Sequence, residues 1–187
     1  MAKSSEHPES RPRRTVRIRE RVDADAPQLI AALAEVHRSD AYPIADEHVD
    51  QSWLYDPSFE MAWVAEVDGQ IIGHVALMRG FGAPVVEKST GRPAAETLGV
   101  TRLFVGHAGR GSGAATALLD TVDRYAVRSG LALALDVVDF NTTAVELYER
   151  RGWRRVGSYV AQWFGPDGPH PTAHYYVAPY SYVSPHG

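Results

Sequence analysis

Hydrophobic residues recur along this chain with two periods, and each period predicts one type of secondary structure. In residues 15–22, valine and isoleucine alternate with arginine, and this period of two is typical of a half-buried β-strand. Asp23 and Pro27 then mark a helix start, and the apolar residues in 29–36 follow helical spacing. Asp68-Gly69 separates two apolar stretches and predicts a hairpin turn. The same criteria predict further strands at 61–67, 70–78, 96–105, 131–140, 153–164 and 173–177, and further helices at 113–129 and 141–151.

The order of these elements predicts an α/β fold in one domain. A strand, a glycine-rich loop, a helix and a second strand follow one another between residues 96 and 140, which implies parallel strands joined by a right-handed crossover. The polar, unpatterned residues 1–14 predict a disordered tail, so that residues 15–187 form the single domain. Residues 37–56 are expected to be irregular, and residues 81–93 are expected to form a loop rich in glycine and proline.

The glycine-rich loop is the first candidate for chemistry. Residues Arg110 to Ala115 place small or absent side chains around the first amides of the following helix, and a helix start of this kind suits a phosphate group. The alternative is a plain turn in which glycine only relieves crowding. A nucleoside-triphosphate loop is disfavoured because it requires a lysine here. A dinucleotide-binding fold is disfavoured because a hairpin precedes this strand, although Asp136 and Asp139 lie in the next strand.

Composition narrows the classes of protein that remain. The 187 residues are 44% hydrophobic and carry a formal net charge of −4, which is ordinary for a globular protein and argues against general nucleic-acid binding. The chain has no cysteine, so disulfides and a cysteine nucleophile are excluded. It shows no secretory signal and no apolar run of roughly 20 residues, so we expect a cytoplasmic protein that does not bind membranes. No metal is expected, because His37 and His48 lack metal-ligand spacing.

Two segments resemble the motifs of a known family. Arg110, Gly113 and Ala115 fill the pattern Arg/Gln-x-x-Gly-x-Gly/Ala, which resembles the acyl-CoA motif of the GNAT N-acetyltransferase superfamily. The segment from Asn141 to Trp153 resembles the family's Asn-x-x-Ala-x-x-Leu-Tyr-Glu-x-x-Gly-Phe/Trp motif. The two segments occur in order and are separated by one helix and one strand. The resemblance implies a mixed α/β sheet flanked by helices, whose fourth and fifth strands splay apart to admit the pantetheine arm of acetyl-CoA.

The resemblance also implies which residues bind acetyl-CoA. The backbones of Leu103 and Val105 would contact the pantetheine arm, and the amides of the glycine-rich loop would bind the pyrophosphate. Asn141 would contact the pantetheine, and Tyr148 would lie beside the thioester sulfur. The complete set of expected cofactor-binding residues is Leu103, Phe104, Val105, Arg110, Gly111, Ser112, Gly113, Ala114, Ala115, Asn141 and Tyr148.

Acetyl transfer to an amine requires a base and an acid. An amine attacks a thioester only when it is neutral, and the departing thiolate needs a proton, which a nearby tyrosine can donate. Tyr148 is the predicted general acid; the alternative is that Tyr148 only packs its helix against the sheet. Glu96 is the predicted base because the family often uses a carboxylate from this region. A surface role is the alternative for Glu96, because Gly99 occupies the usual base position. His74 and Asp136 are weaker candidates for the base.

We therefore expect an N-acetyltransferase that transfers an acetyl group from acetyl-CoA to an amine of a small molecule or protein. The acidic residues between Asp40 and Asp56 suit a cationic acceptor. An alternative from another class is a non-catalytic acyl-CoA-binding regulatory module. A nucleic-acid-binding protein that uses the six arginines from Arg11 to Arg21 is disfavoured by the acidic balance. The aromatic strands near the C-terminus could form either core or the surface of a homodimer.

Overall fold

One mixed β-sheet organises the part of the chain that the computed structural model describes, residues 15–43, 49–162 and 170–182. Its strands are β1 (Arg17–Glu20), β2 (Phe59–Val67), β3 (Gln70–Arg79), β4 (Thr97–Val105), β5 (Ala132–Val138), β6 (Arg154–Val160) and β7 (Thr172–Val177). Their order across the sheet is β1-β2-β3-β4-β5-β7-β6. The β4–β5 pair is parallel and the other neighbours are antiparallel. This architecture confirms the predicted α/β fold with a mixed sheet.

Helices cover both faces of the sheet. They are α1 (Ala26–Asp40), α2 (Gln51–Leu54), α3 (Pro84–Thr90), α4 (Ala114–Ser129) and α5 (Thr142–Arg150). Successive side chains of a strand point to opposite faces. Leu133 and Leu135 pack with α4 and α5, whereas Ala134 between them packs with α3. On β2, Val64 packs with α1 and α2. We call the side covered by α1, α2 and α3 the α1 face, and the other side the α4 face.

The strands β4 and β5 separate after a short paired region. Among the described residues, they pair only where Thr97–Gly99 lies beside residues 132–134. Beyond this point β5 pairs with β7 as far as Val138, and β4 keeps only its pairing with β3. A gap therefore opens toward the C-terminal ends of both strands, as the resemblance implied. We call it the β4–β5 gap.

The expectation of a loop at 81–93 is wrong for its central residues, which form α3. Pro84 lies in the first turn of this helix, and Gly91, with φ 66°, ends it in a left-handed conformation. Proline and glycine are turn residues, but they are also start and stop signals of a helix. Val86 is fully buried between this helix and the sheet, and this burial stabilises a helix too short to form alone.

The segment 37–56 is more regular than expected. The helix α1 continues to Asp40, and α2 is capped by Asp50, whose carboxylate accepts a hydrogen bond from the Trp53 amide at 2.9 Å. The strand predicted at 153–164 ends at Val160, and the last two residues of that prediction, 163 and 164, lie outside the described residues. The predicted tail at 1–14 lies outside the described residues. No helix within the described residues is both long and apolar enough to cross a membrane.

Candidate functional site

The glycine-rich loop enters α4 through two left-handed positions. Gly111 has φ 73°, and Gly113, the N-cap of α4, has φ 85°. A residue with a Cβ is strained at such angles, so glycine is required at both positions. A Cβ placed on either glycine would meet no atom within 4 Å. The backbone of the loop therefore borders open space that a ligand group can occupy.

Alternate amides of this loop are available to a ligand. The amides of residues 110, 112 and 114 donate hydrogen bonds within the loop. By contrast, no acceptor among the described residues is found for the amides of Gly111, Gly113, Ala115 and Thr116. These donors lie at the N-terminus of a 16-residue helix, where the helix dipole is positive. This arrangement fits a phosphate or pyrophosphate group.

Two side chains fasten the loop to the end of α1. The Nε2 atom of His107 lies 2.9 Å from Ser39 Oγ, and Arg110 Nη2 forms an ion pair with Asp40 at 2.6 Å. The Arg110 side chain is thus directed toward α1 and contributes its charge beside the loop. An exposed ion pair of this kind contributes at most about 1 kcal/mol. Nothing in the sequence indicated that Ser39 and Asp40 would meet this loop.

A β-bulge lies in β4 where the gap opens. His74 pairs with Phe104 and Ala76 pairs with Thr101, so β4 has one residue more than β3 in this interval. Arg102 takes up the irregularity with φ 55°, in the left-handed region. As a result, Phe104 packs on the α1 face although its spacing from the earlier residues of β4 would place it on the α4 face. Strained backbone of this kind is concentrated at functional sites.

The buried ring of His74 holds the bulge. Its Nδ1 atom lies 2.9 Å from the Arg102 carbonyl oxygen, and its Nε2 atom lies 3.4 Å from Arg21 Nη1. Burial lowers the pKa of His74 to about 4, so the ring is neutral at physiological pH. We assign the proton to Nδ1, which then donates to the carbonyl, while Nε2 accepts from Arg21. The ring is completely buried, which favours a structural role over its weaker candidacy as a base.

Tyr148 extends from α5 into the core on the α4 face. Its ring centroid lies 5.5 Å from that of Trp153 and 6.3 Å from that of Tyr176. Burial raises the pKa of Tyr148, so the phenol retains its proton at physiological pH. Asn141 caps α5, because its Oδ1 atom accepts a hydrogen bond from the Ala144 amide at 3.3 Å. In this position Tyr148 packs α5 against the sheet, which is compatible with a role as proton donor.

Asp136 projects toward the α1 face from the part of β5 that borders the gap. It lies between Leu135 and Val137, which both pack on the α4 face. Tyr159 donates a hydrogen bond to its carboxylate. The Asp136 charge contributes to raising the pKa values of both Tyr148 and Tyr42, although burial is the larger cause for each. Asp136 therefore borders the gap on the α1 face, and Tyr148 lies on the opposite, α4 face.

Glu96 lies elsewhere. It belongs to a short 3-10 turn before β4, is exposed, and pairs with Arg92 at 3.7 Å. The paired residues 97–99 separate it from the gap. The predicted pantetheine contacts Leu103 and Val105 lie on the unpaired edge of β4, whereas the Phe104 ring is buried and stacks on His74 at 5.7 Å. The structure thus groups Leu103 and Val105 with Tyr148 but not with Glu96, so the catalytic role of Glu96 stays a prediction.

Two arginines at the site had no sequence signal. Arg21 follows β1, and Arg102 occupies the bulge. Both are partly buried on the α1 face beside the aromatic rings of Trp53, Tyr55 and Phe59. A non-glycine residue at a left-handed position, such as Arg102, has no distinctive local sequence pattern. Arg21 comes close to Arg102 only through the register of the strands.

Comparisons with known proteins agree with this architecture. Residues 27–153 match the model of the acetyltransferase (GNAT) family. N-acetyltransferase family 8 member 2 of Rattus norvegicus is 35% identical over 98 residues, which make up 52% of this chain and 40% of the rat protein. The chain thus spans less than half the length of this curated relative.

Solved structures share the fold at low sequence identity. Arabidopsis thaliana NAA60 in complex with acetyl-CoA is 22% identical, with a TM-score of 0.64 over 87% of this chain and 97% of that one. A GCN5-related N-acetyltransferase from Kribbella flavida is 24% identical, with a TM-score of 0.63 over 88% and 97%. Together with the family match over residues 27–153, the splayed strands and the glycine-rich loop identify this chain as a member of the GNAT acetyltransferase family.

Proposed function

We propose that this protein is an acetyl-CoA-dependent N-acetyltransferase. The observation that carries the proposal is the β4–β5 gap, which has free loop amides at its end, Asp136 on its β5 side and Tyr148 in the core of the α4 face. Membership of the GNAT family supports the same function, as does the fold shared with NAA60 in its acetyl-CoA complex. The acceptor is an amine, on a small molecule or on a protein.

The chain's own backbone would hold the cofactor. The free amides of Gly111, Gly113 and Ala115 are suited to the pyrophosphate. The unpaired edge of β4 at Leu103 and Val105 offers backbone groups to the amides of the pantetheine arm. Acetyl-CoA supplies an acetyl thioester, which reacts with a neutral amine.

Two side chains move the protons. Asp136 accepts a proton from the incoming ammonium, so that the neutral amine nitrogen can attack the thioester carbon. A carbon–nitrogen bond forms and the carbon–sulfur bond breaks. Tyr148 donates its phenolic proton to the departing sulfur, and the resulting phenolate takes up the second proton that the nitrogen loses as the amide forms. The hydrogen bond from Tyr159 keeps the Asp136 carboxylate in a fixed orientation.

Release of the free CoA thiol from a panel of amines and peptides tests this proposal. Tyr148→Phe and Asp136→Asn should each lower kcat by about 100-fold or more, while acetyl-CoA still raises the melting temperature by mass action. Glu96→Gln distinguishes the two candidate bases, because a loss of turnover in this variant alone would assign the base to Glu96.

Two results would contradict the proposal in different ways. Absence of a melting-temperature shift at millimolar acetyl-CoA would contradict cofactor binding. A clear shift without turnover on any acceptor would favour the non-catalytic acyl-CoA-binding module.

A further inference from the structure

Two half-buried guanidinium groups on the α1 face have no carboxylate partner. Among the described residues, neither Arg21 nor Arg102 forms an ion pair. The other partly buried arginines in the described part of the chain are paired: Arg19 with Asp25 and Glu66, Arg92 with Glu96, and Arg151 with Asp120 and Asp123. The missing partner therefore distinguishes Arg21 and Arg102 from the remaining buried cations of this fold.

Aromatic rings and backbone carbonyls hold both groups in place. The Arg102 guanidinium lies 4.0 Å from the Trp53 ring centroid, and its Nε donates to the Trp53 carbonyl oxygen at 3.2 Å. The Arg21 guanidinium lies 3.9 Å from the Tyr55 ring centroid, and its Nη1 donates to the Leu54 carbonyl. Both guanidinium groups are also close to the Phe59 ring centroid, which lies 5.9 Å from that of Arg21 and 5.8 Å from that of Arg102. The two cations thus contact one shared aromatic cluster.

Several donors of these groups remain unused. Arg21 Nε is buried and has no acceptor. No acceptor for either Nη atom of Arg102 is found in the described part of the chain. Asp56, whose charge acts on Arg102, instead accepts a hydrogen bond from the Ser58 amide at 2.8 Å. Burial lowers the pKa values of both arginines, because the charged form lacks the solvation that a bound anion would replace.

Arg21 and Arg102 lie on the side of the sheet from which an acceptor amine would approach the gap. Arg102 occupies the bulge at the mouth of the β4–β5 gap. The two arginines lie on the α1 face. Tyr148 and α4, the helix that follows the glycine-rich loop, pack on the α4 face. An amine that reaches the gap from the α1 face would therefore pass the two arginines.

We propose that the acceptor carries a carboxylate near its amine, as an amino acid does, and that Arg102 and Arg21 bind this carboxylate. This inference rests on the proposed acetyltransferase function and names the class of its substrate. A planar guanidinium binds a carboxylate through two parallel hydrogen bonds. The acidic residues of the segment 40–56 suggested a cationic acceptor. The α1 face carries both signs of charge at the gap, with Asp136 on β5 and the unpaired Arg102 on β4, which suits a substrate that has both an amine and a carboxylate.

Matched acceptor pairs test the carboxylate. Free α-amino acids and β-alanine would each be assayed beside the corresponding carboxamide, with CoA thiol release as the readout. For the wild-type protein, kcat/KM should be about 10- to 100-fold higher for the acid than for its amide. Arg102→Gln should reduce this ratio to about one, and Arg21→Gln should reduce it in part. Arg102→Lys keeps the charge but not the paired donors, so it should retain an intermediate ratio.

Controls separate this inference from the proposed function. Arg124→Gln, at an exposed arginine of α4, should leave the ratio unchanged. Acetyl-CoA binding and the melting temperature should stay near wild type in Arg102→Lys, which shows that the fold is intact. Turnover without an acid preference, or with a preference for amides or polyamines, would overturn the carboxylate assignment while leaving the acetyltransferase proposal in place.

A binding measurement covers the case in which no acceptor is turned over. N-acetylated amino acids and their amides would be titrated into the protein saturated with CoA, and tryptophan fluorescence would report binding because Trp53 stacks on Arg102. Tighter binding of the acids in the wild type and its loss in Arg102→Gln would support the carboxylate site. Equal binding of acids and amides would overturn it.

Discussion

The buried His74 ring makes the stability of this protein depend on pH in a defined direction. Burial lowers the pKa of His74 from 6.5 to about 4. Since the folded-state pKa lies below the unfolded value, the unfolded state takes up a proton first when the pH falls. Stability is therefore lost between about pH 6.5 and about pH 4, and it is retained above this range.

The size of the effect follows from the same shift. Between about pH 7.5 and about pH 4.5, the unfolded chain gains almost a full proton at this ring while the folded chain gains little. The free energy of unfolding should fall by roughly 2.5 kcal/mol from this group alone. The ring is completely buried, so solvent screening does not reduce the figure.

Urea unfolding of wild type and His74→Asn at both pH values isolates this contribution. Asparagine does not titrate, and its side-chain amide can still donate to the Arg102 carbonyl that Nδ1 of His74 contacts. The pH-dependent loss of stability should be roughly 2.5 kcal/mol larger for wild type than for His74→Asn. Carboxylates also titrate in this range, but they do so in both proteins and cancel in the difference.

A matched substitution controls for general effects of acid. His170→Asn, at an exposed histidine, should behave like wild type. A difference between wild type and His74→Asn below about 0.5 kcal/mol would refute the reasoning, because it would mean that the native ring takes up its proton as easily as the unfolded one.

Three further substitutions test other parts of the structure. Gly113→Ala forces a Cβ into a backbone with φ 85°, which causes strain of about 1 kcal/mol. This strain should weaken acetyl-CoA binding, measured by calorimetry. As a control, Gly69→Ala, at φ 78° in the β2–β3 turn, should leave that affinity unchanged. Tyr159→Phe removes the hydrogen bond to Asp136 and should lower kcat by roughly 3- to 10-fold without changing the Kd of acetyl-CoA; an unchanged kcat would remove Tyr159 from the positioning of Asp136. Leu118→Ala empties a fully buried site of α4 and should cost about 2–5 kcal/mol in urea unfolding, whereas Val127→Ala, 58% exposed on the same helix, should change stability by less than about 0.5 kcal/mol.

The elements predicted best are those whose signals are local. The strand–loop–helix unit around Gly113 and the Asn141 cap depend on neighbouring residues, because turn conformation and capping act over a few positions. The helix α3 was missed for the same reason. Its Pro84 and Gly91 are equally suited to a loop, and only burial of Val86 against the sheet selects the helix.

The candidate base illustrates the limit of sequence reasoning. Glu96 and Asp136 are both carboxylates near the glycine-rich loop in the sequence, and their order along the chain does not separate them. Pairing of β4 with β5 at residues 97–99 separates Glu96 from the gap, while the following divergence of the strands places Asp136 beside it. Tyr159 reaches Asp136 from a strand 23 residues away.

Short-range patterns of glycine, helix caps and apolar spacing were enough to predict the family, the order of elements and the glycine-rich loop, because each depends on neighbouring residues. The arrangement of side chains on the α1 face of the gap, in contrast, depends on long-range packing. The β-bulge at Arg102 reverses the alternation of β4, and sheet register brings Arg21, His74 and Arg102 together from three separate strand regions. Contacts of this kind join residues up to 53 positions apart, and they follow from packing of the whole sheet rather than from any neighbouring residues.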